Sequence, residues 1–459
     1  MRTILLDMTV CGFKCIDEPI TIQFTNKTFN KGIYDSPQIK AIYGTNGEGK
    51  SALIHAIDVY IKTIFDDGYL TVQSANGALV EIINKNIKKA TVSLRYYVGL
   101  PSGEAGKIEY AICRHTINYV LDNDKKVYIE KETLSASGNL LFMSNAEKKV
   151  FSVTKGVIDY MDEDYFMGLG DFVKDRTKNL LEKSSLLHHL VFGSSVYADL
   201  TKKEKLKCSN LMAKALISAL FAFSSRVFLD EKDSHVMNAD KVRRIVKENK
   251  DNPILSEQSL TRRSNDIVVD NEIDEVEKEF IEDYKEEVEK ICRFLKIFKP
   301  ELDRIDVDES PIGDKIRCKK ILVYKDGTPI SSEYESSGIK KLMKLYPVLA
   351  VLENGGTAFI DEFDSNIHDV YLCKIIEYVL NYTKGQLIFT THNLGPMEVL
   401  DKSGIKHSID FINDSKISSW KRNGNYSVVK VYRGGAIPNC PFNIDAADFV
   451  KVFGQTRSK

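Results

Sequence analysis

The chain has 459 residues, 43% of them hydrophobic and 28% charged, with 11 prolines. This composition excludes a disordered or fibrous protein, and the length suits about two to four compact units. Sixty-four Lys and Arg stand against 65 Asp and Glu, a net charge of −1, which excludes a bulk electrostatic drive toward nucleic acid and leaves only a local basic patch open.

In chain order, residues 2–10, 20–25 and 38–43 have the short Ile-, Leu- and Thr-rich pattern of strands, and Ala52 to Phe65 has helical periodicity. Arg2 and Asp7 fall inside the first strand pattern and not in a basic patch ahead of an apolar run, so no signal peptide is expected and the location is expected to be cytoplasmic. From about Ala90 to Glu130 apolar and polar residues alternate, as in Thr91-Val92-Ser93-Leu94-Arg95-Tyr96, which predicts antiparallel strands with one solvated face. Between Ser135 and Pro300 the sequence turns charged and helical. Its most apolar stretch, Leu211 to Phe223, contains Lys214 and is too short to span a bilayer, so it reads as a buried helix. Lys247 to Asn271 is polar and reads as a loop. Asn271 to Phe298 reads as one long amphipathic helix, with Ile273, Val276, Phe280, Tyr284, Val288, Ile291, Leu295 and Phe298 on one face. Strand patterns return at Lys319–Tyr324, Gly356–Ile360 and Gln386–Thr391. The eight cysteines, Cys11, Cys15, Cys113, Cys208, Cys292, Cys318, Cys373 and Cys440, make no C-x-x-C pair, so reduced thiols are expected and a structural zinc site is not.

Four segments carry chemistry. Gly44-Thr45-Asn46-Gly47-Glu48-Gly49-Lys50-Ser51 is a G-x-x-x-x-G-K-S loop between an apolar strand and a helix. The glycines let backbone N–H groups wrap phosphates, Lys50 reaches the β/γ oxygens, and Ser51 supplies a hydroxyl to Mg²⁺. Thr357 to Glu362 is an apolar strand ending in two carboxylates: Asp361 would orient a Mg²⁺ water and Glu362 would polarise the attacking water as general base. Glu335-Ser336-Ser337-Gly338-Ile339-Lys340-Lys341-Leu342 is a small polar turn opening a helix, which by itself reads equally as an anion site or an ordinary N-cap. Gln386 to Asn393 sets His392 at the end of a third apolar strand, where a γ-phosphate sensor would sit. Asp361 lies 310 positions beyond Ser51, more than a compact P-loop domain of about 200 residues needs, so a large insertion is expected between them.

The order of these motifs resembles the ABC-type ATPase heads of the SMC and OLD-like superfamily. In detail, Ile42–Ser51, Glu335–Leu342 and Phe359–His368 resemble its bacterial AAA-type defence branch, which includes the ATPase component of the PARIS anti-phage system. The resemblance covers residues 1–130 and 315–400. It implies an α/β ABC-type head with an antiparallel β lobe and a helical insertion, divided as 1–134 (P-loop and lobe), 135–314 (helical insertion or arm) and 315–459 (signature, acidic pair and switch histidine). ATP and Mg²⁺ are the implied cofactors. Two heads would sandwich two ATP molecules, Gly44, Asn46, Gly47, Gly49, Lys50 and Ser51 holding each in cis while Ser336 and Gly338 meet the γ-phosphate bound by the partner. Asp364 would communicate across that dimer, and His392 would be the switch histidine. The signature S-S-G-I-K departs from the S-G-G-Q of transporters, leaving Ser337 without a role. A lobe glutamine that senses Mg²⁺ is also implied, with Gln73 as the candidate. A homodimer or larger homo-oligomer, a separate nuclease or toxin-like effector and a phage-derived trigger are the implied partners, with no membrane. An OLD-type nuclease would need a Glu and an Asp-x-Asp pair after the ATPase. The 67 residues beyond His392 hold Asp410, Asp414, Asp445 and Asp448 but no such pair. SMC-like arms would need far longer helices. The expected function is therefore an ATP-driven sensor or scaffold controlling a separate effector.

Overall fold

Our computed structural model describes residues 2–25, 38–66, 68–101, 108–142, 146–193, 196, 202–229, 232–233, 273–413, 416–420 and 427–434. The chain first builds a seven-stranded antiparallel sheet from β1 (Arg2–Cys11), β2 (Ile20–Gln23), β4 (Lys89–Pro101), β5 (Ile108–Leu121), β6 (Val127–Ser137), β7 (Lys148–Thr154) and β8 (Val157–Met161), in spatial order β2-β1-β4-β5-β6-β7-β8. This is the expected lobe. In β5 buried and half-exposed positions alternate, the period-2 pattern of a sheet with one solvated face.

A second seven-stranded sheet runs β10 (Lys232–Asp233), β9 (Ser225–Leu229), β15 (Thr357–Ile360), β16 (Gln386–Thr390), β3 (Gln38–Tyr43), β17 (Ile409–Asn413) and β18 (Lys416–Ser419). Its five inner strands are parallel, and the two edge strands pair antiparallel. Every residue of β9, β15 and β16 is buried, and β15 and β16 accordingly read as apolar runs. Ile42, Phe359 and Ile388 point into one core, with α1 (Lys50–Phe65) and the lobe. Ala41, Tyr43, Ala358, Ile360, Leu387 and Phe389 point into the other, with α8 (Ser337–Glu353), α9 (Asp369–Tyr382) and α10 (Leu394–Lys402). The central sheet is thus covered on both faces, as its strand pattern requires.

The remaining helices among the described residues are α2 (Gln73–Ile82), α3 (Glu163–Phe166), α4 (Gly170–Thr177), α5 (Leu186–Phe192), α6 (Lys202–Phe223), α7 (Ile281–Phe298) and α11 (Val428–Arg433). Segment 205–223 of α6 is long and apolar enough to cross a membrane, yet two thirds of it is buried inside the protein; Leu211, Leu216, Leu220 and Phe221 all lie in the core shared with α1.

The segment 135–314 is not uniformly helical. Besides α3 to α7 it contains β7, β8, β9 and β11 (Ile273–Glu277) and most of β12 (Leu302–Ile312), and β9 is a strand of the central sheet itself. The expected long helix from Asn271 begins only at Ile281. Ile273 and Val276 belong instead to β11, which pairs with β13 (Lys315–Tyr324) in a small antiparallel sheet completed by β12 and β14 (Pro329–Ser331). Spacings of three fit a helix face, but Asp274 decides against it: its buried carboxylate pairs at 2.6 Å with Lys320 of the neighbouring strand β13 and accepts a 2.8 Å bond from Tyr284 of α7. The loop read at 247–271 lies outside the described residues.

Candidate functional site

The carboxyl ends of β3, β15 and β16 lie side by side, because the three strands are parallel neighbours in register (Ile360 opposite Phe389, Thr390 opposite Ile42). The crevice beyond such strand ends is where open α/β sheets bind ligands, and three of the four sequence motifs start there.

After β3 the loop turns through Gly47 at φ 88° and Gly49 at φ 102°, left-handed conformations that glycine adopts without steric cost. A side chain at Gly44 would strike Ile412 at 2.7 Å. Cys15 donates a 3.0 Å bond to the Gly47 carbonyl, bracing the loop from the β1–β2 turn. Helix α1 starts at Lys50 with no acidic residue in its first turn, so no carboxylate of the helix itself offsets the macrodipole and first-turn N–H groups at the loop. Lys50 Nζ donates 2.8 Å bonds to the Gly44 and Thr45 carbonyls. Burial lowers its pKa, against the pull of Asp361, Glu362, Asp364 and Glu48, all within electrostatic reach. Asn46 is exposed at the tip of the loop, and Ser51 is half-buried one residue into the helix.

Asp361 and Glu362 follow β15. Thr390 Oγ1 donates to Asp361 Oδ1 at 2.5 Å and accepts the Glu362 N–H at 2.8 Å. Glu362 has φ 45°, a left-handed backbone that a non-glycine residue holds only when its surroundings enforce it, and it is exposed. Asp364 Oδ1 accepts from Thr391 Oγ1 at 2.7 Å and from the His392 N–H at 3.4 Å, which ties the loop after β15 to the end of β16. His392 titrates below its ordinary range: burial lowers it first and Lys50 adds to this, against the three carboxylates. Lys50, Asp361, Glu362, Asp364 and His392 therefore form one cluster. A hydroxyl from Ser51 and a carboxylate from Asp361 are hard oxygen donors that fit Mg²⁺ beside phosphate oxygens.

The fourth motif opens α8. Ser336 is the N-cap, its Oγ accepting the Ile339 N–H at 3.4 Å, and both Ser336 and Ser337 are exposed. Ser337 donates to Asn366 Oδ1 at 3.4 Å, which gives this residue a place in the fold against the loop after the acidic pair. A side chain at Gly338 would meet the Asn366 carbonyl at 2.9 Å, so the signature glycine lets two loops of one chain approach. Glu335 is buried and joins the turn to its support: it accepts from the Tyr324 hydroxyl, and from the Ser336 N–H at 3.1 Å, while Lys299 lies 2.9 Å from the Tyr324 hydroxyl and 3.7 Å from Glu335.

Gln73 is not part of this cluster. It begins α2, past the far end of α1, and the 16 residues of α1 separate the loop from that end by about 24 Å at 1.5 Å per residue. Gln73 lines a cleft of about 910 Å³ with Asn76, Asp122, Lys125 and Lys155 at the outer turns of the lobe. A glutamine chosen because it falls in lobe sequence carries no information on which end of the lobe it occupies. Thr390, Thr391, Lys341 and Glu335, by contrast, lie inside motifs visible in the sequence, but their roles depend on contacts across 21 to 29 residues or on burial, which motif spacing does not encode.

The fold is mixed α/β, a largely parallel sheet covered on both faces beside an antiparallel lobe, with a G-x-x-x-x-G-K-S loop and an acidic pair at neighbouring strand ends. Residues 221–398, which include β9, the signature, the acidic pair and His392, match a family model described as "AAA domain, putative AbiEii toxin, Type IV TA system". Among solved structures, the chain is similar to an Smc head domain with an extended coiled coil bound to the C-terminal domain of ScpA from Pyrococcus furiosus (16% identity, 91% of this chain and 96% of that one, TM-score 0.41). It is also similar to the SMC head domain from Thermotoga maritima (15%, 92% and 100%, TM-score 0.31) and to the recombination mediator protein RecF-ATPrS of the RecFOR pathway (11%, 92% and 99%, TM-score 0.36). A comparison with curated proteins gave no match.

Proposed function

We propose that this protein binds and hydrolyses ATP with Mg²⁺ and that two copies complete each nucleotide site. The observation that carries this reading is the convergence of Lys50, Asp361, Glu362 and His392 at three adjacent parallel strand ends, each with the local support its role requires. The loop and the α1 N-terminus hold the phosphates, and Lys50 exchanges its backbone carbonyl partners for β/γ oxygens. Ser51 and, through a water, Asp361 would hold Mg²⁺, which would supply charge neutralisation on the phosphates. Glu362 accepts the proton of the attacking water, and neutral His392 senses the γ-phosphate. Ser336, exposed on its capped turn, faces outward to the γ-phosphate of a second copy, with Gly338 behind it.

The resemblance to the bacterial defence branch, including the ATPase component of the PARIS system, supports a cytoplasmic sensor or scaffold that controls a separate toxin-like effector; the toxin–antitoxin wording of the matching family points the same way. The test is Mg²⁺-dependent phosphate release by the purified protein, together with the mass of Glu362→Gln by light scattering with and without ATP. ATP-dependent doubling of mass in that variant supports the reading; ATP bound tightly by a persistent monomer that still turns over sinks the shared site.

A further inference from the structure

We infer that Lys341 is a positioning residue that fixes the Glu362 backbone and couples it to the signature helix; this deepens the reading above and rests on Glu362 being the base. Lys341 lies on α8, one turn beyond Gly338, and is 3% exposed. A buried ammonium must be matched by acceptors. Its Nζ donates to the Glu362 carbonyl at 2.8 Å, the Ser365 carbonyl at 2.7 Å and Ser365 Oγ at 2.5 Å, and it lies 5.6 Å from the Phe228 ring centroid.

The peptide groups on both sides of Glu362 are thereby held: Thr390 takes the N–H, and Lys341 takes the carbonyl. Between these two clamps sits the left-handed φ of 45°. Few non-glycine residues keep this conformation unaided, and it sets where the carboxylate projects from the end of β15. Lys341 reaches backbone oxygens of the acidic loop from the helix that Ser336 caps, so movement of that helix is transmitted to the Glu362 carbonyl through the lysine side chain.

The experiment compares Lys341→Met, Glu362→Gln and the double variant, by ATP titration, steady-state hydrolysis and thermal melting. Lys341→Met is expected to bind ATP within about twofold of wild type and to lose roughly 10- to 100-fold in kcat, the scale of a catalytic group misplaced by about 1 Å. Because Lys341 acts through Glu362, adding Lys341→Met to Glu362→Gln lowers the residual rate no further. A purely structural lysine would instead weaken nucleotide binding or lower the residual rate again, and either result overturns the inference. Wild-type turnover in Lys341→Met beside an inert Glu362→Gln overturns this inference alone, whereas wild-type turnover in Glu362→Gln overturns the base assignment and the inference with it. If Lys341→Met does not fold, Lys341→Gln, which is shorter and retains two donors, carries the same comparison.

Discussion

Replacing Thr390 by valine removes one hydroxyl and leaves the shape of a fully buried side chain nearly unchanged. That hydroxyl serves both acidic residues at once, donating to Asp361 and accepting from the Glu362 N–H. A hydrogen bond to an ionised carboxylate contributes about 1.5–3 kcal/mol, and a half-buried N–H left without a partner costs about 1–3 kcal/mol, less where water reaches it. A destabilisation of about 2–4 kcal/mol follows, read as a fall of a few degrees in melting temperature. The larger effect is on turnover. With one clamp gone, Glu362 relaxes from its left-handed backbone, and a displacement of about 1 Å costs on the order of a hundredfold in rate. ATP affinity is set by Lys50 and the glycine loop and stays within a few-fold. Steady-state hydrolysis beside a nucleotide titration measures both. A variant that melts lower yet hydrolyses ATP at the wild-type rate would refute the claim that Thr390 orients the acidic pair, and a variant that loses ATP binding first would move Thr390 from the hydrolytic to the binding half of the site.

Further outcomes are expected. Lys50→Ala abolishes ATP binding, because the loop loses its one strong point charge; unchanged affinity in a titration counts against the phosphate-loop assignment. Glu362→Gln keeps ATP and slows turnover by about 10²–10⁴, and a wild-type rate requires another base. His392 is held below its ordinary pKa of 6.5 by burial and Lys50, so the folded protein favours neutral imidazole. Its contribution to stability is present above the unfolded value and is lost as pH falls through the folded one. An NMR titration midpoint at or above 6.5 contradicts this environment. Glu335→Gln leaves Lys299 and the Ser336 turn less firmly held, at roughly 1 kcal/mol given the partial exposure of Lys299, and lowers hydrolysis more than ATP affinity; equal losses in both would show that the turn is not specific to catalysis.

The parts of the site legible in the sequence are those encoded by contiguous residues. The glycine loop announces itself because φ values near +90° demand glycine, and β15 and β16 announce themselves as unbroken apolar runs because both faces are covered. That Lys50, Asp361 and Glu362 lie at neighbouring strand ends could therefore be expected from motif and flank alone. Long-range pairing is different in kind. Ile273 and Val276 satisfy helical spacing, but in β11 they fall on opposite faces, Ile273 exposed and Val276 buried, and it is the Asp274–Lys320 pair, 46 residues apart, that ties the segment to β13. The same holds for β9, whose Val227-Phe228-Leu229 run follows α6 after Ser224-Ser225-Arg226 and is too short for its local pattern to separate a strand from a buried helix. Gln73 failed for the opposite reason, having a residue type but no local constraint to place it.

The structure also dictates how the sharing of the site between two copies must be tested. A charge at Gly338 is one way to block a partner's γ-phosphate, but its Cβ would already press on the Asn366 carbonyl of the same chain at 2.9 Å. Gly338→Asp therefore disturbs the acidic loop in cis, and a loss of activity would not distinguish sharing from local damage. Ser336 is exposed, and its side chain makes only the 3.4 Å capping bond, worth about 1 kcal/mol, so Ser336→Arg leaves the fold and the loop at Lys50 in place. Mixing Ser336→Arg with Lys50→Ala produces dimers in which one composite site carries both lesions and the other carries neither. If Ser336 acts in trans, hydrolysis reappears on mixing although each variant alone is inactive, and the intact site of the mixed dimer binds ATP. If Ser336→Arg alone hydrolyses ATP at the wild-type rate, or if mixing restores neither hydrolysis nor occupancy beyond that of Ser336→Arg itself, the nucleotide site is complete within one chain.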